Sequence, residues 1–220
     1  MREYKNILFV GGGSEIALKM LSDLKKYNIS SLSRNYQKNY NKNYIINTYS
    51  NPELSTALKK INKKFNLILI FNGIFEFSTL SALNEKKFYN TMNVNVVTPI
   101  RVINKLLEYD LLEKNTNIFF LSSKASIKPE IGNAYYSISK SALNFSIKIL
   151  QKENRKRFIK FNLIRLGLVE NKMGKKAQNL IKLKKNYNKK IKNTGYLNLI
   201  KYLKIVIKNP KKAKSNIVIN

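Results

Sequence analysis

The amino-acid sequence predicts an α/β fold: a doubly wound, mostly parallel sheet of seven strands with helices on both faces. Three observations lead there. Short apolar runs alternate with longer stretches of three- and four-residue apolar spacing along almost all of the 220 residues, the pattern of strands joined through helices. Runs such as Ile7-Leu8-Phe9-Val10 and Leu67-Ile68-Leu69-Ile70-Phe71 are apolar at every position, as expected when both faces of a strand are covered. No fixed-period repeat and no Ser/Gly/Pro-rich linker divides the chain. One domain over residues 1–220 is therefore expected, with a small variable segment near 168–192.

In chain order, the first strand, Asn6–Val10, runs straight into three glycines, and a helical stretch follows at Glu15–Tyr27. Strands at Ile29–Leu32 and Tyr44–Asn47 come next, then a helix over Pro52–Phe65 and the apolar strand Leu67–Phe71. A long helical stretch from Ser81 to Glu113 leads to a strand at Asn117–Leu121, and Ala134–Asn154 has the same helical spacing. A strand at Lys160–Arg165, a helix at Leu197–Lys208 and a strand at Asn216–Ile219 complete the set. The lysine-dense stretch Lys172–Lys192 fits two readings: a solvated helix with Leu180, Leu183, Tyr187 and Ile191 inward, or a lid.

Composition narrows the chemistry. The chain has no cysteine, histidine or tryptophan, which excludes disulfides, the usual zinc and haem ligands, and nucleophiles built on thiol or imidazole. No metal site is expected, and catalysis must run on Tyr, Lys, Ser, Asn, carboxylates or a bound cofactor. Apolar residues make up 44% of the chain, enough to offset the entropy of ordering the backbone. The net charge of +30 comes from 36 lysines and only six arginines. A nucleic-acid grip uses bidentate arginines and gathers charge on one face. Here lysine is spread from Lys5 to Lys214, so a solvated surface is expected and no specific nucleic-acid partner. No stretch approaches the roughly 20 apolar residues of a membrane span and no leader is visible, so a cytoplasmic location is expected.

Gly11-Gly12-Gly13-Ser14 lies between the first strand and the first helix. Such a turn lets backbone N–H groups approach a phosphate while the helix N-terminus adds partial positive charge; a tight turn needing positive φ is the plainer alternative. About twenty residues on, Ser33 and Arg34 follow the second strand, and no Asp or Glu accompanies them. An acidic residue there would hold a ribose 2′-hydroxyl, whereas Arg34 with Ser33 favours a 2′-phosphate, so NADP is expected over NAD.

The fifth strand ends at Ser122-Ser123, and the later helix opens with Tyr135-Tyr136 and reaches Lys140. Tyr136 and Lys140, four apart, share a helix face, so the ammonium can lie near the phenol and pull its pKa down. Among the 13 tyrosines only Tyr136 has a lysine four residues on. Ser123, at the carboxyl end of a parallel strand, can donate to a substrate carbonyl.

From Ile7 to the last strand the chain resembles the short-chain dehydrogenase/reductase (SDR) family, whose fold is Rossmann-like and whose first turn reads Thr-Gly-x-x-x-Gly-x-Gly. Gly11 matches the first glycine, while Val10, Glu15 and Ala17 stand for the threonine and the other two glycines. The side chain of Glu15 is expected to point along the helix to solvent, where a first-turn carboxylate is favourable. Ser123 precedes Tyr136 by 13 residues and Asn95 precedes Ser123 by 28, as the family pattern has it. The resemblance implies that Tyr136 protonates the carbonyl oxygen, Lys140 lowers the tyrosine pKa and binds the nicotinamide ribose, Ser123 orients the carbonyl, and Asn95 fixes a water linking Lys140 to solvent. It implies cofactor contacts from Gly11, Gly13, Ser14, Ile16, Ser33, Arg34, Asn72, Gly73, Lys140 and Gly167. Tyr135 is read as packing or lining the pocket, and Ser122 as structural. Departures fall at Ile70-Phe71-Asn72, where the family often has Asn-Asn-Ala before a glycine that Gly73 keeps, at Leu166-Gly167 for its Pro-Gly, and at Asn171 for a threonine near the carboxamide.

The resulting expectation is an NAD(P)H-dependent oxidoreductase, a carbonyl reductase or alcohol dehydrogenase acting on a small molecule, assembled as a homodimer or homotetramer. The alternative is a nucleotide-binding or scaffold protein of the same fold with impaired catalysis. Substrate selectivity is expected in Ile74–Leu80, Ser126–Asn133 and Leu168–Lys192.

Overall fold

The computed structural model describes residues 4–24, 26–167, 169, 171–175 and 194–219. Its strands are β1 (Asn6–Val10), β2 (Asn28–Ser33), β3 (Lys42–Ile45), β4 (Phe65–Ile70), β5 (Leu112–Ser123), β6 (Lys160–Leu166) and β7 (Asn216–Ile219). The helices are α1 (Glu15–Asp23), α2 (Asn51–Leu58), α3 (Glu85–Met92), α4 (Thr98–Glu108), α5 (Ala134–Glu153) and α6 (Thr194–Lys208). The strands form one sheet in the order β3-β2-β1-β4-β5-β6-β7, and every pair is parallel. The strand order reverses between β1 and β4, and in open sheets of this kind ligands gather at the carboxyl ends around that point.

The unbroken apolar strands serve two cores. Leu8, Val10, Ile68, Ile70, Ile118 and Phe120 pack with α2, α4 and α5, whereas Ile7, Phe9, Leu67, Leu69, Phe119 and Leu121 pack with α1 and α6. Neighbouring residues point to opposite faces, so a strand covered on both sides has no polar position to spare. Among the described residues no helix is long and apolar enough to cross a membrane.

Several boundaries move. The stretch expected to run as one helix from Ser81 is two helices, joined by a π-helical turn at Asn93–Val97. It ends at Glu108 because Asp110 takes a positive φ of 51°, and β5 starts five residues ahead of its expected position. The pairing of β4 with β5 shifts register between Phe65 and Leu67, and Asn115 at φ 67° absorbs the extra length. Asparagine tolerates that conformation better than most residues. The lysine-dense stretch lies outside the described residues except at 172–175, one helical turn, so its inner face at Leu180, Leu183, Tyr187 and Ile191 lies outside them too.

The glycine turn is held by the fold itself. Gly11 has φ 74°, and a Cβ on Gly12 would lie 2.4 Å from Ser31 Oγ and 2.8 Å from Tyr40 Oη. Tyr40 donates to the Gly12 carbonyl at 2.9 Å, so the turn lies flat on β2. Gly12→Ala should cost roughly 1–3 kcal/mol of stability through overpacking, read from urea unfolding; an unchanged midpoint would contradict the tight fit.

Candidate functional site

The sequence-predicted residues come together at the carboxyl edge of the sheet. Beyond β1, the Gly11 N–H extends the ladder to the Leu32 carbonyl at 2.9 Å. Ser14 caps α1, its hydroxyl accepting from the Ala17 N–H at 3.2 Å. Gly13 is the open member of the turn: a Cβ there would meet only Gln37 Nε2, at 3.6 Å. Ile16 leans on the α1 and α6 core. Backbone N–H groups at the start of α1, with no helical acceptor, therefore face an unfilled edge.

At the end of β2 the two expected residues part company. Ser33 is buried and spends its hydroxyl on the Asn35 carbonyl at 2.9 Å, while accepting from Ser31 Oγ at 3.0 Å. Arg34 is exposed and is the cation left to meet an anion. Tyr49 lies beneath, donating to the Leu32 carbonyl at 3.0 Å. Burial pushes its phenol up, opposed by hydrogen bonds from Asn72 and the Gly11 N–H and by the Arg34 charge. Asn72 Oδ1 is buried without a partner, 3.3 Å from where a Gly11 Cβ would stand.

The residues of the chemistry sit on β5 and α5. Ser123 lies beside the Tyr136 phenol and acts to lower its pKa, and the Lys140 ammonium lies under the tyrosine ring, 5.7 Å from its centroid. Lys140 is only 3% exposed and donates to the Leu121 carbonyl at 2.9 Å. Burial lowers its pKa to about 8. The sequence reading has the ammonium pull the phenol down. In the structure desolvation by burial raises Tyr136, with the Ser123 side chain opposing it.

Asn95 occupies the π-helical turn and is fully buried. Its Nδ2 donates to the Ile74 carbonyl at 3.0 Å and to Ser139 Oγ at 2.9 Å, and its Oδ1 accepts from the Ile74 N–H at 2.8 Å. Ser139 in turn donates to the Tyr136 carbonyl at 2.7 Å. Asn95 thereby ties the segment after β4 to α5. Gly73 lies against both groups: a Cβ there would stand 3.3 Å from Lys140 Nζ and 3.7 Å from Asn95 Oδ1. A π-turn also leaves a backbone carbonyl without its helical partner, a common feature near functional sites.

Sequence reasoning missed several supports. Phe75 meets Tyr136 edge-on with centroids 5.6 Å apart. Ser78 accepts from the Tyr135 N–H at 3.0 Å and anchors the start of α5. Asn144 lies one turn beyond Lys140. It accepts from Ser122 Oγ at 2.7 Å and donates to Ser126 Oγ at 2.7 Å, while Ser126 donates to the Ser123 carbonyl at 2.6 Å. This chain sets Ser123 against α5. Ser122 is structural, as read, and Tyr135 packs, buried against Phe88. The only signal for Asn144 was its four-residue spacing from Lys140.

After β6, Gly167 donates its N–H to the Ile219 carbonyl at 2.9 Å. Asn171 Oδ1 accepts from the Gly174 N–H at 2.7 Å. Glu15 does pair along its helix, with Lys19 at 3.4 Å. Its other oxygen accepts from the Lys172 N–H at 3.0 Å. These contacts, the Lys172 N–H foremost, hold its carboxyl below the usual range.

Residues 5–181 match the short chain dehydrogenase family. No curated protein sequence matches the chain. Solved structures share the fold at low identity. A short chain dehydrogenase from Salmonella enterica superposes with TM-score 0.81 at 16% identity, covering 98% of this chain and 96% of its own. A Burkholderia multivorans short-chain dehydrogenase/reductase with bound NADP gives TM-score 0.77 at 15% identity, over 98% and 95%. A 4-hydroxyisoleucine dehydrogenase complexed with NADH gives 0.78 at 19% identity, over 98% and 97%.

Burying Lys140 has a pH signature. Its native value of about 8 lies below the roughly 10.4 of an unfolded lysine, so between those values the unfolded chain binds more protons and stability rises with pH. Lys140→Met should therefore stabilise the free protein at pH 7 by on the order of 1–3 kcal/mol. The gain should shrink towards pH 10 in thermal or urea unfolding; a variant less stable at pH 7 would contradict the buried-cation cost.

Proposed function

The chain belongs to the short-chain dehydrogenase family, and we propose that it interconverts a small carbonyl compound and its alcohol with NADP(H), Tyr136 serving as the proton donor. The observation that carries this reading is a phenol beside Ser123 with a buried ammonium under its ring. The residues present fit a dinucleotide. The turn is open at Gly13 and the buried Asn72 Oδ1 has no partner. Gly11, Gly13, Ser14 and Ile16 would hold the pyrophosphate side; Asn72, Gly73, Lys140 and Gly167 would line the nicotinamide side. A bound nicotinamide supplies the hydride.

The chain's own groups handle the proton. Burial keeps the Tyr136 phenol protonated well past neutral pH, as an acid for carbonyl reduction must be. Ser123 lies beside the same oxygen and fixes where it sits. As the proton leaves, the Lys140 cation below the ring stabilises the phenolate. With a pKa of about 8, Lys140 is charged at neutral pH and close enough to titration to pass a proton on. Asn95, through Ile74 and Ser139, keeps the outlet for that proton in place, with a water as the link to solvent.

Relatives of this fold are solved with NADP and with NADH, so the preference rests on this chain's Arg34. Ser33 is committed to Asn35, which leaves a 2′-phosphate to the guanidinium alone; NAD remains usable. Phe145 and Ile149, exposed on α5, support pairing of copies through α4 and α5 as a homodimer or homotetramer. A cytoplasmic site of action suits the cofactor.

Tyr136→Phe should lower carbonyl reduction by roughly 10²–10⁴-fold while NADPH affinity by fluorescence titration stays within about twofold. Equal turnover in the variant would overturn the role. Arg34→Leu should weaken NADPH about tenfold and leave NADH nearly unchanged, since only the charge-assisted phosphate contact is lost; parallel losses for both nucleotides would remove Arg34 from the site.

A further inference from the structure

The first turn of α1 carries a carboxylate where the family pattern has glycine, and that carboxylate is occupied. Glu15 Oε2 accepts from the backbone N–H of Lys172 at 3.0 Å, across 157 residues of chain. Its Oε1 faces Lys19 at 3.4 Å. The far end of this contact is itself braced. Val169 is buried with the α1 and α6 core, and its carbonyl accepts from the Asn171 N–H at 2.9 Å. Asn171 accepts from Gly174 through Oδ1 at 2.7 Å and from Lys175 through its carbonyl at 2.8 Å. Gly174 admits no side chain, since a Cβ would lie 1.8 Å from the Val169 carbonyl oxygen. Residues 171–175 thus form a compact knot, tied to the phosphate-facing turn by one side chain.

We propose that Glu15 is a positioning residue that tethers residues 171–175 to the glycine turn, so that nucleotide binding and placement of the segment after β6 are coupled. The proposal rests on the cofactor reading above. A glycine at position 15 has no acceptor to offer Lys172. The tether also accounts for a carboxylate beside a diphosphate site: Lys19 offsets its charge, and the oxygen nearest the knot is already engaged. Two roles for Glu15 predict opposite signs. A bare negative charge repels the pyrophosphate, so removing it tightens binding. A tether loosens binding when its acceptor is lost, and tolerates loss of charge alone because a glutamine oxygen still accepts from Lys172.

The test compares the full-length wild type with Glu15→Gln and Glu15→Ala by NADPH fluorescence titration, together with hydrogen exchange at the Lys172 amide. The tether predicts Glu15→Gln within about twofold of wild type and Glu15→Ala weakened roughly fivefold or more, with faster exchange at Lys172 in Glu15→Ala alone. Equal or tighter NADPH binding in both variants overturns the coupling. Unchanged exchange at Lys172 in Glu15→Ala overturns the tether itself, whatever the nucleotide does. A wild type that binds no dinucleotide defeats the cofactor reading, and the coupling with it, while the exchange measurement still reports on the tether separately.

Discussion

A lysine ammonium sunk beneath the carboxyl edge of the sheet is the constraint around which the site is built. Lys140 is nearly inaccessible and donates a hydrogen bond to the Leu121 carbonyl. A cation in such a place is costly, and no described carboxylate pairs with it. The surroundings make sense as accommodation of that charge. Gly73 gives it room, the Tyr136 ring face covers it, and Asn95 and Ser139 stitch the neighbouring segments so that nothing can shift to bury it further. Under the proposed function that cost serves chemistry, since pKa values displaced by burial suit proton transfer near neutral pH.

The sheet makes this arrangement possible by delivering five chain segments to one edge. Because all seven strands run the same way, the glycine turn, Arg34, Asn72 with Gly73, Ser123 and Gly167 all emerge on the same side. Helix α5 crosses below that edge. Its inner face repeats every four residues through Tyr136, Lys140 and Asn144: phenol, ammonium and the amide that pins the Ser123 turn. One helix face therefore carries both the reacting groups and the brace for the group they face.

Much of this was legible in the sequence, and the reasons are local. Strands buried on both faces announce themselves as unbroken apolar runs, so β1 falls where expected. The Tyr136–Lys140 pair is readable because helical spacing alone brings the two together. What stayed hidden depends on distant partners. Asn95 reaches Ser139 over 44 residues, and Glu15 reaches Lys172 over 157; neither bond has a periodicity to betray it. The pKa direction of Tyr136 is set by burial, which spacing along one helix does not report. The start of β5 was missed because a bulge at a positive-φ asparagine hides in an otherwise polar stretch.

The direct test of the account is a crystal structure of the protein grown with NADP⁺. The account predicts the pyrophosphate over Gly11–Gly13 at the start of α1, the 2′-phosphate beside Arg34, and the nicotinamide ring next to Tyr136 and Lys140. A dinucleotide bound elsewhere, or a glycine turn with nothing in it at saturating nucleotide, would contradict it.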